Sequence, residues 1–255
     1  MRVPELSEAR PWPFLVGAGI LKPLLIASSS RTWIDGEKIP AAGGCIVALN
    51  HISHLDPLTS AHFVYDHGRI PRYLAKSSLF GNRVLGGFLR SAGQIPVERL
   101  TSSAVGAHDA AVDAVREGDC VVIYPEGTLT RDPDLWPMTG KTGAARIALA
   151  TGCPVIPVGQ WGAQEILPPY ARVPDLFPRR RVTLKAGDPV PLDDLLEEPA
   201  TPEVVAETTE RIMTAITAIV AELRGTTPPP ARFDPRRAGL QQIGNPHPKR
   251  RKGRR

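Results

Sequence analysis

The feature that most constrains this chain is the alternation of short, β-rich apolar runs with stretches of helical spacing through its middle. CIVAL before Asn50, RYLA at Tyr73, QIPV at Ile95, CVVIY at 120–124, PVIPVG at 154–159 and RVTLKAG at 181–187 are the candidate strands. Between them, 56–67, 79–92, 101–117 and 140–151 read as helices. Strands that alternate with helices are joined by crossovers, which return the chain to the same end of the sheet and make neighbours parallel. The expected class is therefore α/β, with a mostly parallel central sheet flanked by helices.

The helices carry their own signals. In 101–117, Thr101, Ser102 and Ser103 are candidate N-caps, Val105, Ala111, Val112 and Val115 have helical spacing, and Gly118 supplies a stop. Residues 162–178 are rich in proline and lack periodicity, so a surface loop is expected. A last helix, 202–224, opens at Thr201-Pro202 and carries Val204, Val205, Ile212, Ile216, Ile219, Val220 and Leu223 on one face. Beyond Gly225 there are too few apolar residues to offset the entropy of ordering, and a flexible tail is expected. The resulting division is a membrane-associating segment over 1–35, an α/β domain over 36–224 and a basic tail over 225–255, with no internal repeat.

The chain's net charge of +5 is unevenly placed. Residues 225–255 hold nine Lys and Arg against Asp234 alone, which leaves 22 basic and 25 acidic residues in 1–224, a balance of −3. A basic binding stripe is absent from the domain, and only 5% of residues are aromatic, so a nucleic-acid partner is not expected. Any anion site must come from particular side chains. Cys45, Cys120 and Cys153 lie far apart, without CxxC spacing, and read as small apolar residues in a reducing compartment.

Near the N-terminus, PWPFLVGAGILKPLLIA (11–27) is apolar but interrupted by Lys22 and Pro23, and is shorter than the roughly 20 residues of a spanning helix. Glu5 and Glu8 make it a poor signal peptide. Two readings stay open: a helix packed on the domain, or an interfacial helical segment with Trp12, Phe14, Leu15, Ile20 and Leu21 against lipid.

Candidate chemistry begins where CIVAL ends in NHISHLDPL, on the loop past a strand's carboxyl end, where open α/β sheets place their sites. His51 has the pKa class needed to deprotonate a hydroxyl, and Asp56 could hold its other ring nitrogen and fix the tautomer. An isolated H-x4-D also fits ordinary loop histidines with Asp56 as an N-cap, or a metal-dependent hydrolase with His51, His54 and Asp56 as ligands. A second cluster, YPEGTLTRD (124–132), follows CVVIY. Glu126, Thr128 and Arg131 there offer an acceptor, a hydroxyl and a fork of donors, and Gly127 permits close backbone approach, although a plain β-turn fits too. TGKT (139–142) lacks the first glycine of a P-loop, since Leu135 stands in its place, so a nucleotide site is rejected and Lys141 is left as a local anion contact.

Taken in order, these segments resemble the glycerolipid acyltransferase family, in particular its 1-acylglycerol-3-phosphate acyltransferases. NHISHLD is similar to that family's NHxxxxD block, IPVERL (95–100) to its second block, YPEGTLTR to FPEGTxSR, and CPVIPVG (153–159) to the fourth. The resemblance spans about residues 40–190. It implies His51 as general base, Asp56 as its partner, Lys76 and Arg99 as acceptor phosphate ligands, and Glu126, Gly127 and Thr128 as acceptor-holding residues. Departures are Tyr124 for Phe, Leu129-Thr130 for Arg-Ser, and Glu98 for Asp; the missing Arg at 129 bears on the acceptor headgroup. The implied reaction carries a fatty acyl group from an acyl-CoA or acyl carrier protein thioester to 1-acylglycerol 3-phosphate, giving phosphatidic acid, with glycerol 3-phosphate or another lysolipid as alternative acceptors. Neither metal nor cofactor is expected beyond the co-substrate. No GxSxG elbow is present, so direct transfer is expected, with oxyanion donors among backbone N–H groups near the His51 loop. Membrane lipids are the expected partners, at the cytoplasmic face of the cell membrane, through the N-terminal segment and the tail PKRRKGRR.

Overall fold

A computed structural model describes residues 12–97, 104–171 and 173–240. In chain order the elements are α1 (Trp12–Ser28), β1 (Ser29–Ile34), β2 (Cys45–Leu49), α2 (Asp56–Asp66), β3 (Pro71–Lys76), α3 (Arg83–Ser91), β4 (Ile95–Val97), α4 (Ala104–Arg116), β5 (Cys120–Ile123), α5 (Gly143–Thr151), β6 (Val155–Trp161), α6 (Ala163–Ile166), β7 (Arg180–Ala186), α7 (Asp193–Leu196) and α8 (Pro202–Arg224). All six expected strands are present. The expected helix 79–92 is divided, because Asn82 Oδ1 accepts the N–H groups of Val84 and Leu85 and restarts the chain as α3 after a 3-10 segment over Ser77–Gly81. The proposed caps Thr101–Ser103 lie outside the described residues, as does the side chain of Val105. Ala111, Val112 and Val115 are buried as their spacing requires.

The seven strands lie in the order β1-β7-β6-β2-β5-β3-β4. Strands β6, β2, β5, β3 and β4 are mutually parallel, whereas β7 runs antiparallel to β6 and β1 is parallel to β7. Every residue of β2 is buried because both faces of the sheet are covered. Ile46 and Ala48 join the core beneath α4, α5 and α8, while Cys45, Val47 and Leu49 pack with Phe63 and Val64 of α2. Gly159 of β6 has a packing role: a Cβ there would stand 2.6 Å from the Ile219 side chain, so only glycine lets α8 lie this close.

Three sequence expectations change. β1 lies inside the stretch assigned to the N-terminal segment, yet it pairs with β7 from Ser29↔Arg180 to Ile34↔Lys185, so the sheet begins at Ser29 rather than after residue 35. SSRTWI shows no apolar alternation because, at the sheet's edge, its middle residues are exposed. The expected loop 162–178 contains the single turn α6. The chain past Gly225, expected to be mostly flexible, is held as far as Leu240: Phe233 O accepts the Thr139 N–H at 3.0 Å and Arg232 pairs with Glu210 of α8. Just before it, the Arg224 guanidinium lies 3.9 Å from the Trp136 ring and 4.4 Å from that of Trp161. Residues 241–255 lie outside the described part.

Among the described residues no helix is long and apolar enough to cross a membrane. Lys22, which interrupts the apolar run, anchors α1 to the domain by placing Nζ 2.6 Å from Asp66 Oδ1 of α2. Trp33 Nε1 donates to the other Asp66 oxygen at 3.0 Å. Trp12, Leu15 and Ile20 remain exposed, while the side chains of Phe14 and Leu21 lie outside the described residues.

Candidate active site

Strands β2 and β5 are neighbours in register, with Ala48 opposite Ile123, so their carboxyl ends release two loops side by side. From β2 the chain crosses one face of the sheet through α2 towards β3, and from β5 it crosses the other face through α5 towards β6. Loops leaving in opposite directions from adjacent parallel strands open a crevice between them. NHISHLD and YPEGTLTRD are those two loops.

Asn50, fully buried, fastens the first loop to the end of β6. Its Oδ1 accepts the Gln160 N–H at 2.9 Å, its Nδ2 donates to Gln160 O at 3.1 Å, and Gln160 Nε2 returns to Asn50 O at 2.6 Å. Beyond it the chain curls around Asp56, whose Oδ2 accepts the N–H groups of Ile52 at 2.6 Å and Ser53 at 2.8 Å and also meets His51 Nδ1 at 2.8 Å. Asp56 thus does more than begin α2. With Nδ1–H directed at the carboxylate, His51 Nε2 is left as the unprotonated nitrogen. Burial pushes the Asp56 carboxyl up, opposed by the His51 ring and the two backbone donors. Three N–H groups converging on one oxygen favour its ionised form.

The second loop supports the first from beneath. Glu126 is buried, and its Oε1 accepts the His51 N–H at 2.9 Å while Oε2 accepts the Met138 N–H at 3.0 Å. Burial pushes its carboxyl up to about 8, against the opposing pull of those two N–H donors. Thr130 N donates to His51 O at 2.7 Å. Tyr124 stacks under the His51 ring, with centroids 4.3 Å apart, and its hydroxyl lies 2.8 Å from Ser60 Oγ, which also meets Tyr73 OH at 2.7 Å. The tyrosine at this phenylalanine-like position therefore has a built partner for its hydroxyl. Gly127, at φ +70°, brings the backbone against Lys141, where a Cβ would stand 2.9 Å from Nζ.

A cavity of about 730 Å³ opens at His51. His51, His54, Gly127 and Lys141 line its polar part, and the remainder runs over apolar groups such as Leu58, Ala61, Leu74, Phe88 and Leu89. A few polar groups set in a mostly apolar lining suit a ligand with a reactive head and an alkyl chain.

The expected site residues are only partly brought together. His51, Asp56, Glu126 and Gly127 form one cluster. Thr128 is half-buried and Arg131 is buried, and neither lines the cavity. Leu129, where the resembling block carries arginine, is 3% exposed and contributes packing, not charge. Lys76 ends β3, with its side chain outside the described residues, and Arg99 lies outside them altogether. The metal-ligand alternative does not assemble: His51 Nδ1 is turned onto Asp56, the His54 ring sits edge-on to Tyr170, and no group of three His, Cys, Asp or Glu among the described residues could hold a metal ion. The expected oxyanion donors of the His51 loop are also engaged, since the N–H groups of His51, Ile52 and Ser53 go to Glu126 and Asp56. Sequence reasoning missed the Asn50–Gln160 clamp, the Ser60 hydroxyl cluster and the cavity position of Lys141. Only Lys141 left a signal, as a cation opening a helix in TGKT.

Known proteins match this architecture. The crystal structure of the 1-acyl-sn-glycerophosphate (LPA) acyltransferase PlsC from Thermotoga maritima superposes with a TM-score of 0.59 at 23% identity, covering 82% of each chain, and shares the fold. A 1-acyl-sn-glycerol-3-phosphate acyltransferase of Bacillus subtilis is 26% identical over 75% of this chain and 89% of its own length. The chloroplastic enzyme BAT2 of Brassica napus is 32% identical over 54% of this chain, which spans 39% of that longer protein. The corresponding Borreliella burgdorferi enzyme is 36% identical over 48% of this chain and 47% of its own length. The family model described as Acyltransferase matches residues 31–161, from β1 to the end of β6, and so takes in both loops of the crevice. The chain belongs to the acyltransferase family.

Proposed function

We propose that the protein transfers a fatty acyl group from a thioester to the hydroxyl of 1-acylglycerol 3-phosphate, giving phosphatidic acid. The observation that carries this reading is the His51 Nδ1 to Asp56 Oδ2 contact of 2.8 Å at the mouth of an apolar cavity. His51 Nε2 takes the acceptor hydroxyl proton as that oxygen attacks the thioester carbonyl. Collapse of the tetrahedral intermediate breaks the C–S bond, and the proton on Nε2 passes to the departing thiol. Asp56 holds the tautomer and offsets the charge on the ring while it is protonated. The acyl chain lies along the apolar wall. Because the N–H groups of His51, Ile52 and Ser53 are engaged, the oxyanion is met by Lys141 and the first turn of α5, whose Gly143 and Ala144 line the same cavity. Lys76 and Arg99 complete the acceptor phosphate site, and Glu126 and Gly127 hold the loop in shape. Thr128 and Arg131 support the acceptor indirectly, from outside the cavity.

The donor is an acyl-CoA or acyl carrier protein thioester, and the reaction uses neither metal nor further cofactor. Relatives named as 1-acyl-sn-glycerol-3-phosphate acyltransferases support this acceptor over glycerol 3-phosphate or another lysolipid. The protein works at the cytoplasmic face of the cell membrane, with α1 and the basic tail as its lipid contacts. Thiol release from acyl-CoA, followed with 1-acylglycerol 3-phosphate, glycerol 3-phosphate and other lysolipids, tests the assignment; release only with acyl carrier protein identifies that donor. His51→Ala should abolish release while leaving the fold intact. Near-normal turnover in that variant, or no release with any pairing, would overturn the reading.

A further inference from the structure

The large hydrophobic side chains that the described residues expose are not scattered over the surface. Five are on α1, three are on the segment that follows β3 (Leu79, Val84 and Leu85), and three are on the loop between α6 and β7 (Val173, Leu176 and Phe177). Topology puts all three segments at one end of the sheet. β2, β3, β5 and β6 finish at the site, so the Leu79 segment begins there. β7 and β1 run the opposite way, so their first residues, Arg180 and Ser29, also lie at that end, together with the loop and the helix that lead into them.

The loop between α6 and β7 is attached to both neighbours. Towards the site, Ser53 Oγ donates to Leu167 O at 2.7 Å, and the Tyr170 ring meets His54. Towards α1, the Arg179 guanidinium donates to Ile26 O and, at 2.8 Å, to Ser29 O. At its tip Val173 is 79% and Phe177 84% exposed, exposure that water penalises and a lipid interface relieves. Arg179, Arg180 and Arg181 follow directly; the one acid among residues 173–181, Asp175, lies 3.6 Å from Arg180. Apolar tips backed by arginines match the layers of an anionic bilayer, acyl region beneath charged headgroups. Leu79 belongs both to this exposed face and to the cavity wall, so the cavity opens on the same side.

We propose that residues 173–181 form a second membrane-contact element, in which Val173 and Phe177 enter the interface of an anionic bilayer and Arg180 and Arg181 lie at its headgroups. Together with α1 it sets the orientation of the domain, turning the cavity mouth towards the lipid. This rests on the acyltransferase reading for its purpose but is tested separately from it. The full chain is sedimented with vesicles of phosphatidylcholine, with and without an anionic phospholipid. Val173→Ser/Phe177→Ser should bind anionic vesicles about tenfold or more weakly, and Arg181→Glu should lose much of the preference for anionic over neutral vesicles. Phe177→Trp should show added quenching by brominated lipids relative to the parent chain. The double serine variant should keep its thiol release with substrates dispersed in detergent, where no bilayer is needed. Unchanged vesicle binding of that variant, no added quenching at position 177, or no vesicle binding by the parent chain would each overturn the proposal. Thiol release in detergent would leave the acyltransferase reading standing in every such case.

Discussion

Replacing Asp56 by asparagine separates two tasks of this carboxylate, one seen in the structure and one that the proposed mechanism assigns to it. One is local architecture: Oδ2 accepts the Ile52 and Ser53 N–H groups. The asparagine oxygen can occupy that position, so the turn persists, held by neutral hydrogen bonds roughly half as strong as those to a carboxylate. With about 1.5–3 kcal/mol for each charged hydrogen bond, the expected loss of stability is about 1–3 kcal/mol, or a Tm lower by roughly 2–10 °C for a chain of this size. The task the proposed mechanism adds is catalytic geometry. Asparagine does not supply the charge that fixes the Nδ1–H tautomer of His51, and the corresponding change in a serine hydrolase triad lowers kcat by about 10⁴-fold. Asp56 is completely buried and touches the substrate only through His51, so kcat for thiol release should fall by about 10³–10⁴ with KM little changed. Combining Asp56→Asn with His51→Ala should then be no worse than His51→Ala alone, because residues acting as one unit are not additive. A kcat loss below tenfold, or a further thousandfold loss in the double variant, would refute the dyad.

Glu126, pushed up to about 8 by burial, ties stability to pH. Its folded pKa lies above the unfolded value, so its contribution is fully present below about pH 4.5 and is lost as pH rises through about 8, amounting to a few kcal/mol at most. Urea midpoints taken from pH 5 to 9 should therefore fall for the parent chain and flatten in Glu126→Gln; an identical pH slope in both would remove Glu126 as the cause. Lys141→Ala should lower kcat by about 10–100-fold with KM for the acceptor little changed, because a donor aimed at the oxyanion acts in the transition state rather than in substrate binding. Steady-state kinetics that leave kcat unchanged would exclude Lys141 from meeting the oxyanion.

Much of the fold was legible because periodicity and burial say the same thing here. CIVAL and CVVIY are apolar throughout, and in the structure they are central strands covered on both faces. β1 was illegible for the opposite reason: SSRTWI is an edge strand whose exposed middle needs no apolar pattern, and its partner β7 follows about 150 residues later. The hold on residues 226–240 was equally hidden, since it depends on a backbone bond from Thr139 to Phe233 and an ion pair from Glu210 to Arg232, neither of which leaves a local signal. In the site, the pairing of His51 with Asp56, with four residues between them, was open from spacing alone and was implied by the resemblance of the NHISHLD block. The Glu126 contact to the His51 N–H spans 75 positions and exists only because β2 and β5 are neighbours in register.

Sequence by itself determined most of the elements, the parallel character of most of the sheet, and two loops as the candidate site. The first two follow from local propensity and apolar spacing; the third rests on the resemblance of four ordered blocks to the acyltransferase family. Tertiary structure alone decided which groups converge. It set Lys141 in the cavity, left Thr128 and Arg131 outside it, brought Glu126 to the His51 N–H, and gathered three exposed apolar segments at one end of the sheet. Those outcomes depend on strand order and direction, which join residues far apart in the chain and which no stretch of sequence encodes locally.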